Sequence, residues 1–190
     1  MIKRIVFALK ELKTYRKDLK YILNDTSFTV NSVLDLDLVK IKQSGIEVIV
    51  LDFDGVLAAH GENEPSKEVK VWLTKLVNLF GENHIYILSN KPTEVRLNYF
   101  KKYFPLFRFI SGVRKKPYPD GMEKVIQLSK TNAKHIALID DRLLTGCLAA
   151  LIAKAQPIYI KKAQSNYKKR PIVEFFFAFL RSAERFFMQF

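Results

Sequence analysis

The stretch Val48-Ile-Val-Leu-Asp-Phe-Asp-Gly-Val-Leu57 constrains the fold most. Its apolar run does not alternate with polar residues, so the strand it predicts is covered on both faces, as in a parallel sheet. It ends on two acids, and carboxylates are costly to desolvate. The strand must therefore deliver them to an edge where water, a base or a cation can meet them. The same rhythm recurs along the chain. Strands are expected at 46–52, 84–88, 107–110, 135–139 and 157–160, with helices at 65–80, 92–103, 119–131 and 143–153. This alternation predicts an α/β layer fold with a parallel sheet flanked by helices. In such sheets ligands bind beyond the carboxyl ends of the strands. Asp52 and Asp54, Ser89 and Asn90, Lys116, and Asp140 and Asp141 all fall at those ends.

Two extensions flank this core. Residues 2–23 read as a basic amphipathic helix, followed by a turn at Asn24-Asp-Thr-Ser27 and a short helix around 35–44 that stops at Gly45. Beyond the last strand, Lys154 to Arg170 contains six basic residues and no acid. Pro171 then opens a phenylalanine-rich helix. Its apolar arc takes in Val173, Phe176, Phe179, Leu180, Ala183, Phe187 and Phe190, with Glu174, Arg181 and Arg185 on the opposite side. The expected organisation is a basic helical extension over 1–45, a catalytic α/β domain over 46–162, and a basic and aromatic helix over 163–190 that packs on the domain or on a membrane.

The 190 residues carry 32 Lys and Arg against 19 Asp and Glu, a formal charge of +13. Such a chain attracts nucleic acid, anionic lipid or phosphorylated ligands, unless the excess only keeps it soluble. A single cysteine, Cys147, excludes an internal disulfide framework and reads as a buried thiol. The apolar run Ile5–Leu9 is too short for a signal peptide, and no run approaches the roughly 20 residues of a transmembrane helix. The expected location is the cytoplasm, including the periphery of a membrane's inner face. Three scattered histidines show no metal-cluster spacing, although His60 lies near the site as a candidate substrate contact. Trp72, at helical spacing with Val69 and Leu76, reads as core.

Phosphoryl transfer through an aspartyl-phosphate needs a carboxylate nucleophile, an acid/base, a cation and fixed donors to the phosphoryl oxygens. Asp52 and Asp54 share one face of an extended chain, and Gly55 lets it turn there. Magnesium takes oxygen ligands and keeps several waters, so two or three acids suffice, and Asp141 with Asp140 would complete the set. Lys116 and Ser89 would meet phosphate oxygens.

In order, "DFDGVL", "ILSN", "KKP" and "LIDD" resemble the four motifs of the haloacid dehalogenase-like superfamily over about residues 46–160. The resemblance implies a Rossmann-like parallel sheet, Asp52 as nucleophile and Asp54 as general acid/base. It implies phosphate contacts from Ser89, Asn90 and Lys116. It also implies Mg²⁺ held by Asp52, the backbone carbonyl of Asp54, and Asp141 or Asp140. The short segments between strands leave little room for the inserted caps of many members, so an open site for bulky substrates is expected.

The lead-in "FTVNSVLDLDLVKIKQSGIEVIVLDFDG", together with the basic, aromatic tail, resembles the YqeG-type branch that includes phosphatidylglycerophosphate phosphatases. That branch reads D-x-D-N-T-L in the first motif, where this chain has Gly55 and Val56. It reads G-D-Q-x-x-T-D in the fourth, where this chain has Asp140, Asp141, Arg142, Thr145 and Gly146. The expected function is Mg²⁺-dependent hydrolysis of a phosphomonoester, foremost that of phosphatidylglycerophosphate at a membrane surface. The alternatives are a phosphatase acting on nucleic-acid ends or nucleotides, and a non-catalytic interaction protein on the same scaffold. The aromatic residues cluster in the tail helix and do not interleave with the basic run, which disfavours nucleic acid.

Overall fold

The computed structural model describes residues 2–189. Six parallel strands form one sheet in the order β1-β6-β5-β2-β3-β4. They are β1 (Thr29–Val30), β2 (Val48–Leu51), β3 (Ile85–Ile87), β4 (Arg108–Phe109), β5 (Ile136–Asp140) and β6 (Gln156–Ile160). The central strands are buried on both faces, as their unbroken apolar runs require. Alternate residues feed two cores. Ile49, Leu51, Ile87 and Ile139 pack with Val69, Leu73 and Leu76 of helix α3 (Lys67–Phe80) and Phe100 of α4 (Glu94–Tyr103). Val48, Val50, Tyr86 and Leu138 pack on the other face with Met122 and Val125 of α5 (Asp120–Ser129).

Local sequence sets the ends of these helices. The Ser66 hydroxyl accepts a hydrogen bond from Val69 N–H at 3.3 Å at the start of α3, and the Thr93 hydroxyl caps α4 through Arg96 N–H. The short helix expected over 35–44 is a 3₁₀ turn, Val33–Asp35, followed by α2 (Leu38–Gln43). Gly45, with φ +89°, ends it as expected. The helix expected over 143–153 begins as a π-helical turn, Leu143–Cys147, before α6 (Leu148–Ile152). Strand β1 was not foreseen. It is a two-residue edge with no period to read, held in parallel register by Thr29 opposite Tyr159.

A third core ties both terminal helices to the sheet. Leu19, Ile22 and Leu23 of α1 (Ile2–Asn24) and Met188 of α7 (Pro171–Gln189) pack with Leu143, Cys147, Leu148 and Tyr159. The segment between β2 and β3 holds a loop, α3 and a 3₁₀ turn, and that between β3 and β4 holds α4. In place of a cap, α7 lies beside the strand ends.

Helix α7 is mounted with its polar face inward. Glu174, Arg181 and Glu184 are buried with Met188, whereas Ile172, Phe175, Phe176, Phe179, Phe186 and Phe187 are exposed. Phe190, which the sequence places in the apolar arc, lies outside the described residues.

Candidate active site

Strands β2 and β5 are neighbours with Leu51 opposite Ile139, so the chain leaves both strands on carboxylates at the same point of the sheet edge. Asp52 N–H donates to Ile139 O at 3.0 Å, which extends the ladder by one bond and fixes the side chain's origin. Carboxylate oxygens of Asp52, Asp140 and Asp141 lie within 4.8 Å of one another, close enough to share one cation. Gly55 is required beside them. Its φ is +87°, and a Cβ there would fall on the Asp141 carboxylate.

Lys116 enters from the loop after β4. Its Nζ stands 2.9 Å from Asp52 Oδ1 and 2.5 Å from Asp140 Oδ2, with the side chain buried. Asn90 holds that loop, because its Oδ1 accepts Lys116 N–H at 2.8 Å. Ser89 Oγ accepts Lys91 N–H at 3.2 Å, which shapes the turn after β3. The loop ends thus bring Asp52, Asn90, Lys116, Asp140 and Asp141 together, while Ser89 lines the adjoining cavity with Asn90. Asp54 sits slightly apart. Both of its carboxylate oxygens accept from the buried Arg96, at 2.7 and 3.0 Å, and Oδ1 also accepts Gly61 N–H at 3.1 Å.

The electrostatics follow from burial. Desolvation pushes Asp52 up to about 8; Lys116 counters it, while Asp140 and Asp141 add to the rise. Desolvation and the neighbouring Asp140 likewise raise Asp141 to about 7 against the pull of Arg181. Lys116 behaves oppositely: burial lowers it, but Asp140 and Asp52 outweigh that and hold it above the ordinary lysine range. Three buried carboxylates thus face two cations, Lys116 and Arg181. The set is short of positive charge, and its donors are all oxygen. That matches the needs of a hard divalent cation such as Mg²⁺.

Several site residues escaped the sequence reading. Arg181 Nη1 donates to Asp141 Oδ2 at 2.8 Å. Glu184 accepts from Arg142 Nε at 2.9 Å and from Leu143 N–H at 2.9 Å. Glu174 accepts from His60 N–H at 3.1 Å and pairs with its ring Nδ1 at 3.2 Å. Burial lowers the His60 pKa, against the pull of Glu174 and Asp54. The signal for all three was the spacing of Glu174, Arg181 and Glu184 along one stripe of an otherwise apolar helix. Nothing in the sequence around Arg96 marks it as Asp54's partner.

Gly146 is where the chain departs from the branch's fourth motif. A Cβ at 146 would land on the Asp140 carboxylate. The acid that the branch carries at 146 is exchanged for one at 140, and the carboxylate at 140 fills the space beside Gly146. The carboxylates open into a cavity of about 430 Å³ lined by Asp52, Asp54, His60, Asn90, Asp141 and Phe177, among others. His60 stacks on Phe177 with ring centroids 3.9 Å apart.

The profile of the family described as mitochondrial PGP phosphatase matches residues 8–163. No curated protein matches the chain. Among solved structures, an uncharacterized protein from Listeria monocytogenes serotype 4b is 17% identical with a TM-score of 0.50, over 61% of this chain and 79% of that one. An uncharacterized protein from Corynebacterium glutamicum is 19% identical with a TM-score of 0.49, over 73% and 96%. A Had-superfamily hydrolase from Ehrlichia chaffeensis is 15% identical with a TM-score of 0.41, over 72% and 98%.

Proposed function

The chain belongs to the mitochondrial PGP phosphatase family, and from that premise we propose that it hydrolyses the phosphomonoester of phosphatidylglycerophosphate at a membrane surface through a phosphoryl-Asp52 intermediate. The observation that carries the chemistry is Lys116 bridging Asp52 and Asp140 at the end of β2, with Asp54 two residues on.

Asp52 Oδ1 is held by Lys116, and Oδ2 takes no hydrogen bond from the described residues. Oδ2 is the attacking atom. The Asp52 O–P bond forms as the P–O bond to the substrate alcohol breaks, and Asp54 gives that leaving oxygen its proton. In the second half Asp54 takes a proton from water. The water's oxygen bonds to phosphorus, the Asp52 O–P bond breaks, and inorganic phosphate leaves. In the structure both Asp54 oxygens accept from Arg96, which orients the carboxyl. Lys116 offsets the charge on the nucleophile, and Ser89 and Asn90 orient the phosphoryl oxygens. Asp52, Asp141 and Asp140, with the Asp54 backbone carbonyl, would hold Mg²⁺, which would supply charge stabilisation for the phosphoryl oxygens.

Support for a lipid substrate comes from the surface around the cavity. Ile172 is 84% exposed, Phe179 70%, and Ile2 of α1 76%. Arg4 of α1 and Val173 and Phe177 of α7 line the same cavity, so the apolar starts of both helices flank its mouth. Exposed aromatic side chains beside lysines and arginines suit the headgroup boundary of an anionic leaflet. Among the described residues no helix is long and apolar enough to cross a membrane.

The test is a phosphate-release screen over phospholipids, nucleotides, sugar phosphates and phosphopeptides with Mg²⁺, using Asp52→Asn as control. The reading requires phosphatidylglycerophosphate to lead by kcat/KM and the variant to be inactive on every substrate. Preference for a nucleotide would replace the lipid assignment.

A further inference from the structure

The cations around the site fall into two groups. The inner ones are each matched to carboxylates: Lys116 to Asp52 and Asp140, Arg96 to Asp54, Arg142 to Glu184, and Arg181 to Asp141. At the mouth, Arg4, Lys91, Lys115 and Arg170 line the same cavity, and none has an ion pair among the described residues. An unpaired group of cations at the rim of a phosphate site attracts any anion weakly. The placement of Arg170 is more specific.

Asp54 marks the side of the site where the leaving alcohol sits, because it must protonate that oxygen. Gly61 N–H donates to Asp54 Oδ1. A Cβ at Gly61 would land on the Arg170 guanidinium, so the glycine, with φ +78°, gives the arginine its place. The backbone of Arg170 is also fixed. Its N–H donates to Asn166 O at 3.0 Å and its carbonyl accepts Glu174 N–H at 3.0 Å. Glu174 in turn is pinned to His60 and to Asn166 N–H. The anchored backbone thus places an exposed guanidinium against Gly61, on the leaving-group side, with no hydrogen bond or ion pair to its donors among the described residues.

We propose that Arg170, with Arg4 at the same cavity, is specificity-determining and binds a second anionic group on the leaving alcohol. On the substrate proposed above, that group is the phosphodiester, so what is new is the assignment of its recognition to Arg170 and Arg4. The planar fork of an arginine matches two phosphate oxygens at once. This assignment rests on the phosphatase reading of the site and adds to it the residues that tell a doubly phosphorylated headgroup from a simple one.

The experiment compares glycerol 3-phosphate with glycerophosphoglycerol phosphate, the deacylated headgroup, and with the intact lipid in detergent micelles. The enzymes are the wild type, Arg170→Ala, Arg170→Lys and Arg4→Ala, with exposed Lys134→Ala at the opposite end of the sheet as a control. Loss of one charge-assisted phosphate contact predicts that the preference for the headgroup over glycerol 3-phosphate falls about tenfold or more in Arg170→Ala. The fall should be smaller in Arg170→Lys and absent in Lys134→Ala. The same fall with the deacylated headgroup and the lipid assigns recognition to the headgroup; a fall with lipid alone assigns Arg170 to the membrane surface and overturns the subsite. Equal losses on all substrates indicate general attraction and overturn it too.

Calorimetric binding of glycerophosphoglycerol phosphate to Asp52→Asn separates the two claims. Binding that depends on Arg170, with no turnover of any substrate by the wild type, upholds the subsite and rejects the phosphatase. Turnover with unchanged selectivity rejects the subsite alone. Absence of both rejects both.

Discussion

Arg181→Leu tests whether α7 is held by its buried charges. The Arg181 and Asp141 side chains are only 6% and 2% exposed and meet at 2.8 Å. Removing one partner of a buried pair costs about 3–5 kcal/mol, because the other charge stays behind without compensation. The apolar contribution on this helix is of similar size. Met188 is its one buried hydrophobic residue among those described, and full burial of such a side chain contributes about 1.5–3 kcal/mol. Half-buried Val173, Phe177 and Leu180 add to it, but losing an ionic contact of this size is enough to loosen α7. The penalty also depends on pH. Asp141 already sits near 7 with Arg181 beside it, and losing that cation raises it further. At pH 6 the orphaned carboxyl takes up a proton and most of the penalty disappears; at pH 8 more of it remains. Urea denaturation in EDTA should show a loss of about 3 kcal/mol at pH 8 and about half that or less at pH 6. Hydrogen exchange should locate the earliest opening in α7, and adding Asp141→Asn should recover most of the loss. A loss below about 1 kcal/mol at both pH values, the range of an exposed pair, would refute the reasoning.

Three further outcomes follow from the site and the surface. Asp52 and Asp141 titrate higher in the fold than in an unfolded chain, so the folded protein holds protons that the unfolded chain releases. Their contribution to stability is full below about pH 4 and declines as pH rises towards 8; melting in EDTA should show that decline and saturating Mg²⁺ should flatten it, whereas a rise with pH in EDTA would contradict the charge balance. Gly146→Asp should lower the melting temperature and weaken Mg²⁺ binding by calorimetry, because its side chain collides with Asp140, and adding Asp140→Gly should restore binding at least in part; a double variant that binds no better than Gly146→Asp alone would sink the exchange. Phe175→Ser with Phe179→Ser should reduce flotation with vesicles rich in phosphatidylglycerol by about tenfold, while activity on the deacylated headgroup is retained; unchanged flotation would remove α7 from the membrane contact.

Much of the scaffold is legible in the sequence because two periods dominate it. Unbroken apolar runs such as Val48–Leu51 and Ile136–Ile139 need cover on both faces, and only a parallel sheet between helices provides it. The gathering of Asp52, Lys116, Asp140 and Asp141 follows from the same logic, since each ends a strand or the loop after one. The partners of those acids are not legible in this way. Arg96 is set against Asp54 by how α4 packs over the β2 loop, a tertiary fact with no local pattern. Helix α7 is a harder case. Its two faces are evident in the sequence, but hydrophobicity alone would turn the phenylalanines inward. Here the buried carboxylates and arginines of the site recruit the polar stripe, and the apolar arc is left facing out.

The central claim is that Asp52 carries the phosphoryl group. Rapid acid quench of a single turnover with phosphatidylglycerophosphate, ³²P-labelled in its monoester, tests it most directly. The account predicts a base-labile label on the protein that maps to the peptide containing Asp52 and is absent from Asp52→Asn. Burst release of labelled phosphate with no label on the wild-type protein, or a label that persists in Asp52→Asn, would contradict it.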